Sequence, residues 1–170
     1  MAAGISFLLL GACQTQSNMA SHALGWIPWG HGSKAGGETL ASCEKTVKTR
    51  GLALSMRLDP VPVRLSDTRR VEAALRLKNV SSRFIHLEFP TTQRFDLLVR
   101  DAAGKLVAQW SEDRAFEAVH GYVGINPGES VEYPAAFPTR DLQPGQRYTV
   151  TALFPSRNDL KVELPCVPEK

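Results

Sequence analysis

An alternation of apolar and polar residues over positions 94–111 predicts a pair of adjacent β-strands. The apolar residues fall at every second position, in two runs that begin at Phe95 and at Leu106. Successive side chains of a strand point to opposite faces, so this period of two places the apolar residues of each run on one face. The short connection between the runs ends in Gly104, a residue that adopts a positive φ at no steric cost. The pattern therefore predicts a β-hairpin with one apolar face.

Six further stretches show the same period of two. Their apolar positions run from Leu52 to Leu58, Val71 to Leu77, Ile85 to Phe89, Val131 to Phe137, Tyr148 to Phe154 and Leu160 to Leu164. Turns that contain glycine or proline separate most of them, and strands at intervals of about 8 to 12 residues are typical of all-β sandwiches. The predicted fold class is an all-β antiparallel sandwich. Its predicted core includes Leu75, Phe95, Val99, Trp110 and Val150.

Two stretches depart from this regular pattern. The first strand ends in Asp59-Pro-Val-Pro62, which predicts an edge strand with a kink, because proline donates no backbone hydrogen bond. Residues 112–119 have a mixed pattern and are assigned to neither a strand nor a helix. Such an irregular segment is expected at the surface, where binding loops are found.

A series of short motifs in and beyond the hairpin resembles a known family. The motifs are Gln93-x-Phe-Asp-x-x-Val-x-Asp-x-x-Gly-x-x-Val-x-x-Trp-Ser111, then Phe116, then Asn126-Pro-Gly-Glu129. Their order is similar to that of the bacterial intracellular proteinase inhibitor family, the BsuPI-like domain. The resemblance implies an immunoglobulin-like β-sandwich of roughly a hundred residues, the usual size of such a domain. It also implies that the protein inhibits a proteinase.

Composition and charge favour a single soluble domain. The chain has 170 residues, of which 43% are hydrophobic and 22% charged, with a formal net charge of +3. This length is enough for one core and not comfortably for two. The basic residues are interspersed with acidic ones, whereas a nucleic-acid site would cluster Lys and Arg on one face. Nucleic acid is therefore not an expected partner.

The three cysteines are expected to have two different roles, lipidation and disulfide formation. Cys13 ends the tetrapeptide Leu10-Gly-Ala-Cys13, which follows a short apolar run and resembles the lipobox of bacterial lipoproteins. The expected modification is lipidation of Cys13, and the alternative is a buried cysteine in a cytosolic protein. Cys43 and Cys166 bracket the predicted strands and are expected to form a disulfide in an oxidising compartment. Two separate thiols are the alternative.

These features divide the chain into three parts. Residues 1–13 form the predicted signal segment, 14–43 a flexible linker rich in glycine and polar residues, and 44–170 the β-sandwich. The linker also contains Trp26 and Trp29. Three placements are open for them: the membrane interface, the surface of the domain, or a locally collapsed segment of the linker. The predicted location is the bacterial cell envelope, at the outer membrane or its periplasmic face.

The sequence contains no pattern typical of a catalytic or metal site. The four histidines lack the short ligand spacings of zinc sites, and the strained Gly-x-Ser-x-Gly elbow of many serine hydrolases is absent. Asp96 and Asp101 are too far apart along a strand to share a substrate atom. Asp96 is expected on the exposed face, and Asp101 is expected to accept backbone hydrogen bonds in the turn. No cofactor is predicted.

The function predicted from the sequence is a membrane-tethered, non-enzymatic module that binds a protein. The partner is a serine protease if the resemblance extends to inhibition. A structural or accessory subunit of an envelope complex is the alternative, and a hydrolase is the class that the residues favour least. The candidate binding loop contains Glu112, Arg114, Phe116, His120 and Tyr122.

Overall fold

The computed structural model describes residues 43–170, and these residues form ten β-strands without a helix. Cys13 and the greater part of the predicted linker lie outside the described residues. The strands are β1 (Cys43–Thr49), β2 (Leu52–Asp59), β3 (Arg70–Asn79), β4 (Ile85–Phe89), β5 (Asp96–Asp101), β6 (Leu106–Gln109), β7 (Gly121–Ile125), β8 (Ser130–Pro138), β9 (Tyr148–Phe154) and β10 (Arg157–Cys166). No helix in this region could cross a membrane, because residues 43–170 contain none that is long and apolar enough.

Two four-stranded antiparallel sheets make up the body of the domain. The first has the order β1-β2-β3-β8 and the second the order β10-β9-β5-β6. Inward-facing residues of both sheets belong to one hydrophobic cluster, which includes Leu54 and Leu75 of the first sheet and Val99 and Val150 of the second. The prediction of an all-β antiparallel sandwich is confirmed.

A tyrosine at the start of β9 supports the immunoglobulin-like description. The Tyr148 hydroxyl accepts a hydrogen bond from the Gln143 N–H at 2.9 Å and donates one to Gln146 at 3.0 Å. The Tyr148 ring is buried at the same time. A buried tyrosine that bonds back to the backbone a few residues upstream is the tyrosine corner of immunoglobulin-like sandwiches.

Strands β4 and β7 form a separate two-stranded antiparallel ribbon. The ribbon buries Leu87, Phe89 and Ile125 in the common core. Asn79, the last residue of β3, ties the ribbon to the first sheet. Its side-chain amide donates to the carbonyl oxygens of Arg83 at 2.7 Å and Ile125 at 2.8 Å, which lie at the start and the end of the ribbon.

The hairpin predicted around Gly104 is confirmed, with one irregularity in its second strand. Gly104 has a φ of 82°, and the Asp101 carboxylate accepts hydrogen bonds from the Ala103 and Lys105 N–H groups, both at 2.9 Å, as predicted. The pairing of β5 with β6 shifts register next to Val99. The even alternation of β6 is lost at this bulge, so the side chain of Leu106 is exposed and not buried as the pattern predicted.

Two predictions about individual strands are wrong. The stretch Leu52–Asp59 is an inner strand and not an edge strand, because β1 pairs along its whole length. Asp96 is 5% exposed, although the alternation predicts it on the solvent face. It lies on the outer side of β5, where its carboxylate accepts hydrogen bonds from the Ser111 hydroxyl and the Gln109 amide, both at 2.7 Å. The chain that leaves β6 covers it.

Candidate functional site

The outer surface of the β4–β7 ribbon carries the two large aromatic side chains that are exposed within residues 43–170. Phe84 and Tyr122 are each 60% exposed, and the Tyr122 ring lies 5.0 Å from the ring of His86. We call this surface the ribbon face and define it by Phe84, His86, Glu88, Tyr122 and Gly124. The register pairs His86 with Gly124 and Glu88 with Tyr122, so these residues share one side of the ribbon. The opposite side packs into the core.

The position of Phe84 depends on a glycine. A Cβ atom at Gly124 would lie 2.6 Å from Cζ of Phe84, closer than carbon atoms approach without a shift. The absence of a side chain at 124 therefore leaves room for the tip of the Phe84 ring beside the ribbon backbone. Gly121 has a similar role, since the Arg94 guanidinium occupies the space that a Cβ would need there. That guanidinium also lies over the Phe89 ring at 4.7 Å.

An irregular segment, residues 110–120, runs from the end of β6 to the ribbon, and we call it the crossover loop. It is built on Trp110, whose ring lies 4.3 Å from that of Phe95 and 6.1 Å from that of Phe116. The Arg114 guanidinium lies over the Trp110 ring at 4.0 Å and donates to the Trp110 carbonyl at 3.1 Å. These contacts give the loop a defined shape, although it contains no strand or helix.

A second anchor holds the middle of the crossover loop. The Thr92 N–H donates to the Glu117 carbonyl at 3.0 Å, and the Glu117 N–H donates to the Thr92 hydroxyl at 3.0 Å. Residues 118–120 after this anchor are exposed and lead directly into β7. The crossover loop and the ribbon face are therefore continuous along the chain.

The structure places the five predicted binding residues in three environments. Glu112, Arg114 and His120 are exposed on the crossover loop, and Phe116 is half-buried against Trp110. Tyr122 does not lie on an irregular loop, as the sequence predicted, but on the outer side of strand β7. The sequence reasoning missed Phe84 and Gly124. The alternation of residues 84–89 does predict that Phe84 lies on the outer side, and this pattern is the sequence signal for its exposure.

The described residues hold no cluster that could bind a metal, since no three His, Cys, Asp or Glu side chains lie close enough together between 43 and 170. Ser111 does donate a hydrogen bond to Asp96, at 2.7 Å. Nucleophilic catalysis by serine also requires a base that takes the hydroxyl proton. Within the described part of the chain, neither His86 nor His120 is hydrogen-bonded to Ser111. The Ser111 contact with Asp96 is best explained as the satisfaction of a buried carboxylate.

The two cysteines of the domain lie at the ends of its outermost strands. Cys43 begins β1 and Cys166 ends β10, and both pack on the hydrophobic core. The structure holds them as thiols, so the predicted disulfide is not shown. Burial raises the pKa of the Cys166 thiol to about 11, and the nearby Cys43 contributes to this rise. Strands β1 and β10, which carry the two cysteines, contact each other at the edge of the sandwich.

Comparison with known proteins identifies the family. The family model described as intracellular proteinase inhibitor (BsuPI) matches residues 62–159, more than half of the chain. The chain belongs to this family. The match extends from the residues just after β2 into β10, and it contains the ribbon and the crossover loop. No curated protein matches the chain.

Solved structures that match this BsuPI-family member share little sequence with it. A β-glucosidase, EmGH1 of Erythrobacter marinus, has 15% identity and a TM-score of 0.40 over 75% of this chain, and the match covers 15% of the enzyme. The yjhA protein of Bacillus subtilis has 15% identity and a TM-score of 0.39, over 74% of this chain and 96% of its own. β-Glucosidase 3B of Thermotoga neapolitana has 18% identity and a TM-score of 0.36, over 74% of this chain and 16% of the enzyme.

Proposed function

We propose that this protein binds and inhibits a proteinase through the ribbon face and the crossover loop, and that it catalyses no reaction of its own. The observation that carries the proposal is the exposure of two large aromatic side chains, Phe84 and Tyr122, on the same side of a two-stranded ribbon. Val119, at the end of the crossover loop, adds a third exposed apolar side chain. Large exposed apolar and aromatic side chains that share one surface typically mark a protein–protein interface.

The construction of this surface also favours binding. The tip of the Phe84 ring lies against Gly124 and the ring of Tyr122 lies beside His86, so contacts with the ribbon position both aromatic groups before a partner arrives. A pre-positioned aromatic side chain loses little conformational entropy on binding. Aromatic side chains are also among those that most often dominate the free energy of binding at interfaces.

The location of the protein is the second part of the proposal. Lipidation of Cys13 would hold the domain at the bacterial cell envelope, since each CH₂ of an acyl chain buried in the bilayer contributes about 0.8 kcal/mol. A Cys13→Ser variant of the precursor is expected to lose labelling by a fatty-acid analogue and to leave the membrane fraction. If the parent protein carries no labelled lipid, this part of the proposal is wrong, while the inhibitor assignment stands on its own test.

Inhibition is tested by titrating the full chain into a panel of bacterial serine proteases with a peptide substrate. We expect stoichiometric slowing of at least one protease. The variant Phe84→Ala/Tyr122→Ala should weaken that inhibition by about 30-fold or more, because truncating a central aromatic residue typically costs about 2 kcal/mol or more. Both side chains are exposed, so its urea midpoint should stay close to that of the parent.

Val167→Ala provides the matched control. Val167 is also an exposed apolar residue, but it follows β10 and lies outside the proposed surface. Its removal should leave inhibition unchanged. Equal weakening in both variants would show that the ribbon face is not the contact surface. Hydrolysis of an ester or peptide by the purified chain, abolished by His120→Ala, would refute the non-enzymatic assignment.

A further inference from the structure

The outer face of the second sheet contains an open groove of about 750 Å³ that lies apart from the ribbon face. Strand β9 runs along its floor with the outward side chains of Thr149, Thr151 and Leu153, and Leu98 of β5 adds a second apolar group. Thr151 is buried, although it points away from the core. The side chains of the neighbouring strands therefore form walls around this part of the sheet.

Three basic side chains line this groove: Arg100, Arg147 and Lys161. Arg100 donates to the Gly104 carbonyl at 3.0 Å, and within residues 43–170 neither arginine forms an ion pair with a carboxylate. Lys161 is paired with Glu163 at 2.6 Å. Two guanidinium groups thus line one groove without an acidic partner.

The two acidic side chains of the groove are already engaged. The Asp101 carboxylate accepts hydrogen bonds from two backbone N–H groups of the turn. Lys161 holds the pKa of Glu163 below its usual value, and the charge of Lys45 acts in the same direction. Neither carboxylate is ion-paired with an arginine, and the three basic side chains outnumber the two acidic ones, so the groove has a net positive charge that favours a ligand with negative charge.

The shape of the groove indicates an extended ligand. Six residue steps separate Arg147 from Leu153, which is about 20 Å along a strand. Arg100 pairs with Thr149 in the sheet and so lies toward the Arg147 end, whereas Lys161 pairs with Leu153 at the other end. A small anion would occupy one end only. An extended peptide could place a carboxylate at the two arginines and continue along the groove toward the Lys161 end.

We propose that this groove binds an extended acidic peptide segment of a partner protein, with Arg100 and Arg147 as the principal carboxylate ligands. The guanidinium group is suited to this role because it donates two parallel hydrogen bonds to one carboxylate. Within the groove, the apolar floor offers no exposed aromatic ring on which a nucleic-acid base could stack, which favours a peptide over a single-stranded nucleic acid. The site goes beyond the proposed inhibitory contact and lies on a different surface.

The test uses the full chain and a fluorescent peptide of about ten residues in which Glu alternates with Thr, so that an extended chain directs its carboxylates to one side. The comparison peptide has Gln in place of Glu. Fluorescence anisotropy should show binding of the Glu peptide at low ionic strength, and this binding should weaken at about 0.5 M salt because screening shortens the reach of the charges. The Gln peptide should bind at least about tenfold more weakly.

Matched variants separate a specific site from net charge. Arg100→Ala/Arg147→Ala should weaken binding by about tenfold, since each exposed ion pair contributes up to about 1 kcal/mol. The control Arg57→Ala/Arg76→Ala removes the same charge from the first sheet and should leave the affinity unchanged. Glu163→Gln should increase it, because Lys161 loses its competing partner. Thermal melts followed by circular dichroism establish that each variant is folded.

Charge reversal provides the strictest comparison. The variant Arg100→Glu/Arg147→Glu should no longer bind the Glu peptide and should instead bind a peptide in which Lys alternates with Thr. Equal binding of the Glu and Gln peptides by the parent, or equal weakening in the two double-alanine variants, would overturn the proposal. A single-stranded oligonucleotide that binds through the same arginines more tightly than the Glu peptide would also overturn it.

Discussion

Replacing Asn79 by alanine should destabilise the protein more than the loss of any exposed polar side chain. Asn79 is fully buried. Its amide donates to the carbonyls of Arg83 and Ile125, and its side-chain oxygen accepts hydrogen bonds from the N–H and the hydroxyl of Ser81, at 2.9 and 2.8 Å. All four hydrogen bonds are lost in the variant.

The expected loss of stability follows from where these partners lie. Ile125 is fully buried, and its carbonyl would lose the bond to Asn79 away from water, which costs about 1 to 3 kcal/mol. The groups of Ser81 and Arg83 lie nearer the surface, where water replaces part of the lost bonding at up to about 1 kcal/mol each. We expect the free energy of unfolding to fall by about 3 kcal/mol, from a total of about 5 to 15 kcal/mol for a domain of this kind.

Urea denaturation followed by tryptophan fluorescence measures this change. The midpoint should fall and the slope should stay the same, because the surface exposed on unfolding hardly changes. Asn126→Ala is the control, since the Asn126 amide donates to Glu129 at 2.9 Å on the exposed surface and should cost less than about 1 kcal/mol.

A second variant distinguishes lost hydrogen bonds from lost volume. Asn79→Asp keeps the shape and the acceptor but removes both donors and introduces a charge into the interior. It should be at least as destabilising as Asn79→Ala at neutral pH, and acidification should relieve part of the effect by protonating the carboxyl group. A loss below about 1 kcal/mol in both variants would refute the account of Asn79 as the link between sheet and ribbon.

Three further predictions concern other parts of the domain. Trp110→Ala should lower the free energy of unfolding by about 2 to 3 kcal/mol in urea titrations. This is less than for a fully buried aromatic residue, because Trp110 is half-buried. An unchanged midpoint would refute the prediction. A hydrogen bond from Arg157 holds the pKa of Asp159 well below its usual value. The ionised Asp159 therefore stabilises the fold above about pH 4, and this contribution is lost as the pH falls through the folded-state pKa. In the Asp159→Asn variant, the stability should fall less steeply with acidification. After folding under oxidising conditions, Cys43 and Cys166 should give no reactive thiol in denaturant until reduced, and the bond should add about 4 to 5 kcal/mol on the chain-entropy model; two titratable thiols would contradict the predicted disulfide.

The period of two in the sequence is sufficient to predict most of the sandwich. The inner strand β3 buries every second residue, so its apolar positions report directly on the core. Strand β1 escaped prediction because it lies at the edge of its sheet and leaves most of its side chains exposed or half-buried. Only Val47 within Glu44–Thr49 is apolar, and a single apolar residue defines no period.

The features that escaped prediction at the candidate site depend on contacts between distant segments. Gly121 and Gly124 weaken the strand pattern of β7, and the reason for glycine at 124 lies in the ring of Phe84, 40 positions earlier in the chain. Residue type alone assigns Asn79 to a turn. Its bond to Ile125 joins residues 46 positions apart, which no local pattern can disclose. The burial of Asp96 has the same origin, because Ser111 reaches it from the far end of the hairpin.

In the proposed function, the ribbon takes part both in the folded core and in the contact with the proteinase. One side of β4 and β7 completes the core through Leu87 and Ile125, whereas the other side carries Phe84 and Tyr122. Changes on the outer side can alter binding without loss of stability, since no core contact is removed. A change at Asn79 should affect both stability and binding, because the same amide that bonds to the buried Ile125 carbonyl also fixes where the ribbon leaves the first sheet. Variants that weaken inhibition consequently need a measurement of stability before the effect is assigned to contact with the proteinase.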